Sequence, residues 1–194
     1  MVPKNIFRKN KNKKAFKFAK KCILINWQNV NIAFLLKRYP SILYHLYMDI
    51  NPLKLNSQQI FLVNNPTNKQ ELVQYLVSNI CKGTALNQDE VFKAIIKREQ
   101  GISTTLESGL SIPHARLEGL TSFRAVVAVI PQGVQDNYGK NIKVMFLFLS
   151  PSGEQYFPEH LKLLAKLAET FTPAFIEELC NLKTVEEIAA KLPF

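Results

Sequence analysis

The chain has 194 residues, 47% of them hydrophobic, few glycines and no low-complexity tract, which suits one domain with its own core and excludes a disordered chain or a repeat array. Its three cysteines, Cys22, Cys81 and Cys180, are odd in number and form no CxxC pair. They fit a reducing compartment, argue against a zinc knuckle, and read as small buried or half-buried hydrophobes.

The formal charge of +10 divides unevenly: residues 1 to 50 carry eleven Lys/Arg against Asp49 alone, whereas residues 51 to 194 carry fourteen charges of each sign. Residues 1–49 therefore read as a basic N-terminal extension, an arm leading into one or two amphipathic helices. Such an arm can bind nucleic acid or an anionic membrane surface, and Phe7, Phe16 and Phe18 among its lysines could stack on bases. No helix-turn-helix accompanies it, and a solvated extension is the plainer reading. The stretch from Cys22 to Leu36 is interrupted by Asn26, Gln28, Asn29 and Asn31, which makes it too polar and too short to span a bilayer and a poor signal-peptide core. A cytoplasmic protein is expected. Met48 opens "MDINPLKL" like the start of a compact domain, with residues 1 to 47 as an upstream extension and residues 50–194 as the domain.

Along that domain, "LKLNSQQIFLV" predicts a turn and a brief apolar run. Thr67 with Gln70 forms the pattern of a capping box, and Leu72, Val73, Leu76, Val77 and Ile80 follow at helical spacing until Gly83. Asn87 with Glu90 repeats the box ahead of a second helix that buries Val91, Phe92, Ile95 and Ile96 and ends before Gly101. Arg98 continues that apolar stripe, and a guanidinium aimed inward needs an anion from the protein or from a ligand.

Two nearly continuous apolar runs, Arg124 to Ile130 and Ile142 to Ser150, read as strands covered on both faces, separated by the turn-like "PQGVQDNYGK". A third long helix starts around Pro158 with Leu161, Leu164, Leu167 and Ala168 as its buried stripe. Two shorter helices close the chain, the second with a Thr184 to Glu187 capping box. The order of elements predicts a three-layer α/β/α sandwich, a mixed sheet flanked by helices on both faces.

His114 follows Pro113, which holds Ile112 extended, so a stiff segment delivers the ring from a strand end, where sites in α/β sheets gather. A lone histidine in that position is more often structural. His160 lies in the first turn of the third helix, where free amides and the dipole favour an anion. Two histidines and an inward Arg98 together suit a phosphate: one neutral imidazole as nucleophile, one as hydrogen-bond partner, a guanidinium for charge. No HExxH or HxxxH pair, GxSxG elbow, Walker loop or GxGxxG is present, and His45, His114 and His160 are too dispersed for a preformed metal site.

The segment "KREQGISTTLESGLSIPHAR", Lys97 to Arg116, resembles the signature of the enzyme IIA domain of the fructose/mannitol class in the bacterial phosphoenolpyruvate-dependent phosphotransferase system, including its nitrogen-regulatory branch. The downstream "EHLKLLAKLA" follows in family order, and the resemblance covers roughly residues 50 to 194. It implies a phosphotransferase component in which His114 is the phosphorylated histidine, His160 the second site histidine and Arg98 the arginine that helps hold the phosphate. The phosphoryl group would come from the phosphocarrier HPr or its nitrogen-branch equivalent NPr and pass to an EIIB partner, or serve to switch a regulated target protein. No metal or cofactor is required. Glu107 and Ser108 stand where the family often has Gly-Asn, Thr105 where glycine is frequent, and Ala115 follows the histidine; an acidic Glu107 beside a phosphohistidine must point outward or tune the transfer.

Overall fold

The structure, a computed structural model, describes residues 53, 55–66, 68–101 and 103–194. The basic arm, Cys22, His45, Met48 and Thr67 lie outside the described residues. Among the described residues, ten strands and α-helices follow in chain order: β1 (Ile60–Leu62), α1 (Lys69–Cys81), α2 (Gln88–Gly101), β2 (Leu110–Ser111), β3 (His114–Leu117), β4 (Arg124–Gln135), β5 (Asn141–Pro151), α3 (Phe157–Thr170), α4 (Pro173–Asn181) and α5 (Val185–Lys191).

The sheet is mixed. β1 runs parallel to β4, β4 antiparallel to β5, and β2 and β3 both parallel to β5. β2 and β3 keep one register, Leu110 opposite Val144 and His114 opposite Phe148, so they are two pieces of one edge strand. Pro113, which has no amide proton to donate, marks the break, and its carbonyl still accepts from the Phe148 amide at 3.1 Å.

Alternation along β5 assigns the two layers. Val144, Phe146 and Phe148 meet Leu163, Leu167, Phe171, Ile176, Leu179 and Ile188 of the α3–α5 layer. Met145, Leu147 and Leu149 meet Leu72, Val73, Leu76, Val77, Val91 and Ile95 of α1 and α2. Both faces of the central strands are covered, which is why their sequences are almost unbroken in hydrophobicity. The three-layer α/β/α sandwich predicted from the sequence is the fold observed.

Four local expectations shift. At α1 the capping side chain is Asn68, which accepts from the Glu71 amide. In α2, Val91 and Ile95 are buried, while Phe92 and Ile96 are half-buried against the same cluster; a helix laid on a sheet hides a narrower stripe than hydrophobicity alone suggests. The first half of the turn-like stretch after Ile130 is strand, because β4 continues to Gln135 through a register shift between Val129 and Val134, and the turn itself is confined to residues 136–140. Gly133 sits in that shift at φ 73°, where a Cβ would overlap the Asn141 side chain, and a bulge is where a strand tolerates Pro131. In α3 the buried stripe is His160, Leu163 and Leu167; of the predicted residues Leu167 is buried, Leu164 is half-buried against the same core, and Leu161 and Ala168 are half-buried. A polar residue heads the core stripe there, and apolar periodicity alone finds Leu167 but misses His160 and Leu163.

Candidate functional site

His114 opens β3 and sits in register with Phe148, so its ring lies on the α3 side of the sheet. The imidazole stacks on the Phe148 ring at 5.1 Å and 11°. Its Nδ1 is 2.8 Å from the Ile112 carbonyl oxygen. A carbonyl can only accept, so in the neutral ring Nδ1 carries the proton and Nε2 keeps the lone pair. The residue is 6% exposed. Burial holds its pKa below the ordinary histidine value, opposed by the Ile112 bond, with Arg98 pushing it further down and Glu99 pulling it up.

His160 is the fourth residue of α3 and 4% exposed. The sheet-facing stripe of the helix brings its ring within 5.2 Å of His114, edge to face at 63°, and within 5.3 Å of Phe148. Nδ1 pairs with Ser150 Oγ at 2.7 Å, and Ser150 is itself fully buried at the end of β5. Its pKa is pushed down to about 3, mainly by burial, then by the charges of His114, Arg116 and Arg98. Both imidazoles are neutral at physiological pH.

Arg98 ends the Val91–Ile95 stripe in the last turn of α2, half-buried, and its charge depresses both histidines. The three residues singled out in the sequence share one electrostatic neighbourhood. Chemically this is a nucleophilic nitrogen with its tautomer set, a second neutral ring beside it, and positive charge close by. That combination suits a transferring phosphoryl group.

The departures in the preceding loop resolve by geometry. Glu107 is 88% exposed and pairs with Lys140 at 2.7 Å, so it points outward. Thr105 is buried, bridges to Ser111 in antiparallel fashion, and accepts from Lys69 Nζ at 3.2 Å. Lys69 also pairs with Glu99 at 2.6 Å, and Thr104 donates to the other Glu99 oxygen.

Sequence reasoning passed over Ser150, Phe148, Arg116 and the Lys69–Glu99 pair. Two of them left a signal. Ser150 is the polar residue that ends an apolar strand, and Arg116 stands two residues after His114 on an extended segment, hence on the same face.

Residues 54–192 match the family model for the phosphoenolpyruvate-dependent sugar phosphotransferase system, EIIA 2. The chain belongs to this EIIA 2 family. It is 31% identical over 137 residues to the mannitol-specific phosphotransferase enzyme IIA component of Staphylococcus aureus, covering 69% of this chain and 90% of that protein. A nitrogen regulatory protein of Bradyrhizobium diazoefficiens is 29% identical over 102 residues, 52% of this chain and 65% of that one. Among solved structures, the nitrogen regulatory protein IIA-Ntr of Neisseria meningitidis superposes with a TM-score of 0.63 at 26% identity, over 71% of this chain and 95% of its own. The Escherichia coli IIA mannitol structure, at 21% identity, shares the fold with a TM-score of 0.61 over 72% of this chain and 99% of its own. EIIA proteins are phosphotransfer components, and this chain is one by family. Among the described residues no helix is long and apolar enough to cross a membrane.

Proposed function

We propose that the EIIA domain carries a phosphoryl group on His114, taken from phosphorylated HPr or NPr and passed to an EIIB partner. The supporting observation is the meeting of two neutral imidazoles at 5.2 Å, one of them with Nδ1 tied to a backbone carbonyl. In the forward step the His114 Nε2 lone pair attacks phosphorus in line with the donor's N–P bond. A new N–P bond forms, the donor's breaks, and its electron pair returns to the donor nitrogen. The His114 Nδ1 proton stays in place, and the Ile112 carbonyl stabilises the positive charge that develops on the ring.

His160 would donate to a phosphoryl oxygen. For that it needs the Nε2–H tautomer, which Ser150 favours when its hydroxyl donates to Nδ1. Arg98 and the first turn of α3 would offset the charge on the equatorial oxygens. Burial of the ring, 6% exposed, keeps His114 in its neutral, nucleophilic form. The reading requires no metal or cofactor and places the protein in the cytoplasm.

Likeness to nitrogen regulatory proteins in both sequence and structure favours a second reading of the same site. In it, phosphorylation of His114 decides which regulated protein is bound, with no onward transfer to a sugar. Incubation with phosphoenolpyruvate, enzyme I and HPr should place an acid-labile phosphate on the chain, and His114→Ala should abolish it. A labelled His114→Ala protein would reject the assignment. Candidate EIIB domains then separate the readings: loss of label to EIIB supports the carrier, retention the regulator.

A further inference from the structure

We propose that Arg116 is a positioning residue: held between the Phe157 ring and the carbonyls of Ser152 and Gly153, it fixes the start of α3 and thereby holds His160 against His114. Its consequence for catalysis rests on the phosphoryl-transfer reading; the clamp itself does not.

The first observation is how α3 begins. α1, α4 and α5 each open on a side chain that accepts from the first turn: Asn68, Thr172 and Thr184. α3 opens on Tyr156, in helical conformation and with no side-chain cap bond. The 3₁₀ turn Glu154–Tyr156 ahead of it also lacks a side-chain cap. Pro158 in the first turn and the backbone bonds of the 3₁₀ turn are the local signals of this start; with no side-chain cap to fix it, where that first turn sits is left to a tertiary anchor.

Arg116 supplies one. Its Nη2 donates to the Ser152 carbonyl at 2.6 Å and the Gly153 carbonyl at 3.1 Å, and its guanidinium carbon lies 5.0 Å from the Phe157 ring centroid. One planar group thus grips both the turn entering α3 and the first residue of the helix. A guanidinium, unlike an ammonium, can stack on a ring and donate from its edge at once.

The sheet explains why this grip reaches His160. His114 and Arg116 alternate onto one face of β3, opposite Phe148 and Ser150 of β5. Phe157 and His160 lie three residues apart on one side of α3. The helix sets this pair on the four strand residues: Phe157 on Arg116, and His160 on Ser150, Phe148 and His114. Phe157 and His160 are themselves near-parallel, at 12° and 6.4 Å. A continuous chain of contacts, Arg116 over Phe157, Phe157 near-parallel to His160, and His160 edge to face with His114, therefore runs from an exposed guanidinium to the nucleophile. The burial of His160 and its depressed pKa, to which the Arg116 charge contributes, accord with a ring kept in place from that side.

The test uses the full chain labelled with ¹⁵N-histidine, and the variants Arg116→Ala, Arg116→Lys, Phe157→Leu and the Ala/Leu double variant. Arg116→Ala and Arg116→Lys should both move the His160 ring nitrogens and raise its titration midpoint. Each should slow HPr-dependent phosphorylation of His114 by roughly tenfold or more, in kcat rather than KM. Phe157→Leu should do the same, and the double variant should be little worse than either single one, as expected of two parts of one device. Arg116→Lys behaving as the natural protein would mean that charge alone matters, and would overturn the clamp. Unmoved His160 resonances in Arg116→Ala would overturn it equally. Should the natural protein take no phosphate on His114, the functional reading fails while the His160 resonances still decide the clamp.

Discussion

Two helix starts in this domain are built on opposite plans. At α5, Thr184 Oγ1 accepts from the Glu187 amide at 3.2 Å, and the Glu187 carboxylate accepts from the Thr184 and Lys183 amides at 3.1 and 2.8 Å, so the helix carries its own start within five residues. At α3 no side chain caps the helix, and its position comes from the strands beneath it. The helix that sets its own start contributes no residue to the histidine cluster. The helix that is placed by its neighbours delivers His160. Local capping makes a helix form, whereas only tertiary contacts can aim one ring at another to within a fraction of an ångström.

If that division holds, substitutions around α3 should be felt in function and those at α5 in stability. The largest effect after His114 itself is expected at His160. His160→Gln, which keeps bulk and a donor but changes its place, should lower the rate of His114 phosphorylation by about 10²-fold, read by single-turnover transfer from labelled HPr.

Next comes pH. Both histidines have folded-state pKa values below the ordinary value, so the folded chain resists protons that the unfolded chain takes up. Their stabilising contribution is complete above about pH 6.5 and is lost as the pH falls, for His160 down to about 3. Each ring should steepen the loss by up to about 1.4 kcal/mol per pH unit. Urea melts from pH 7.5 to 5 should show this slope, and His160→Gln should flatten it.

The smallest effect is expected at α5. Thr184→Ala should cost about 1 kcal/mol of stability by denaturant melt and leave the phosphorylation rate unchanged. A matching loss of transfer would blur the distinction between the two starts.

Much of this was legible in the sequence. The alternation of buried strands and amphipathic helices predicted the layers, since both signals depend on residue spacing along one segment. His114, Arg98 and His160 stood out singly, as a ring behind a stiff Ile-Pro step, a charge on an apolar stripe and a histidine at a helix start. Glu107 was legible only as a question, because the sequence does not say which way a loop carboxylate turns; Lys140, thirty-odd residues away, supplies the answer at 2.7 Å. The α3 stripe was misread for a related reason. Periodicity seeks apolar residues, and here the position above Leu163 and Leu167 belongs to a histidine.

The sequence by itself determined which segments fold into helices and strands, most of the faces they bury, and which side chains were candidates for chemistry, because those properties follow from local spacing and from the groups themselves. Tertiary structure alone decided that β3 and β5 set His114 beside Phe148 and Arg116 beside Ser150, and that α3 lies across all four. Register between distant strands and the seat of an uncapped helix are set by packing among residues far apart in the chain, so no window along the sequence contains them.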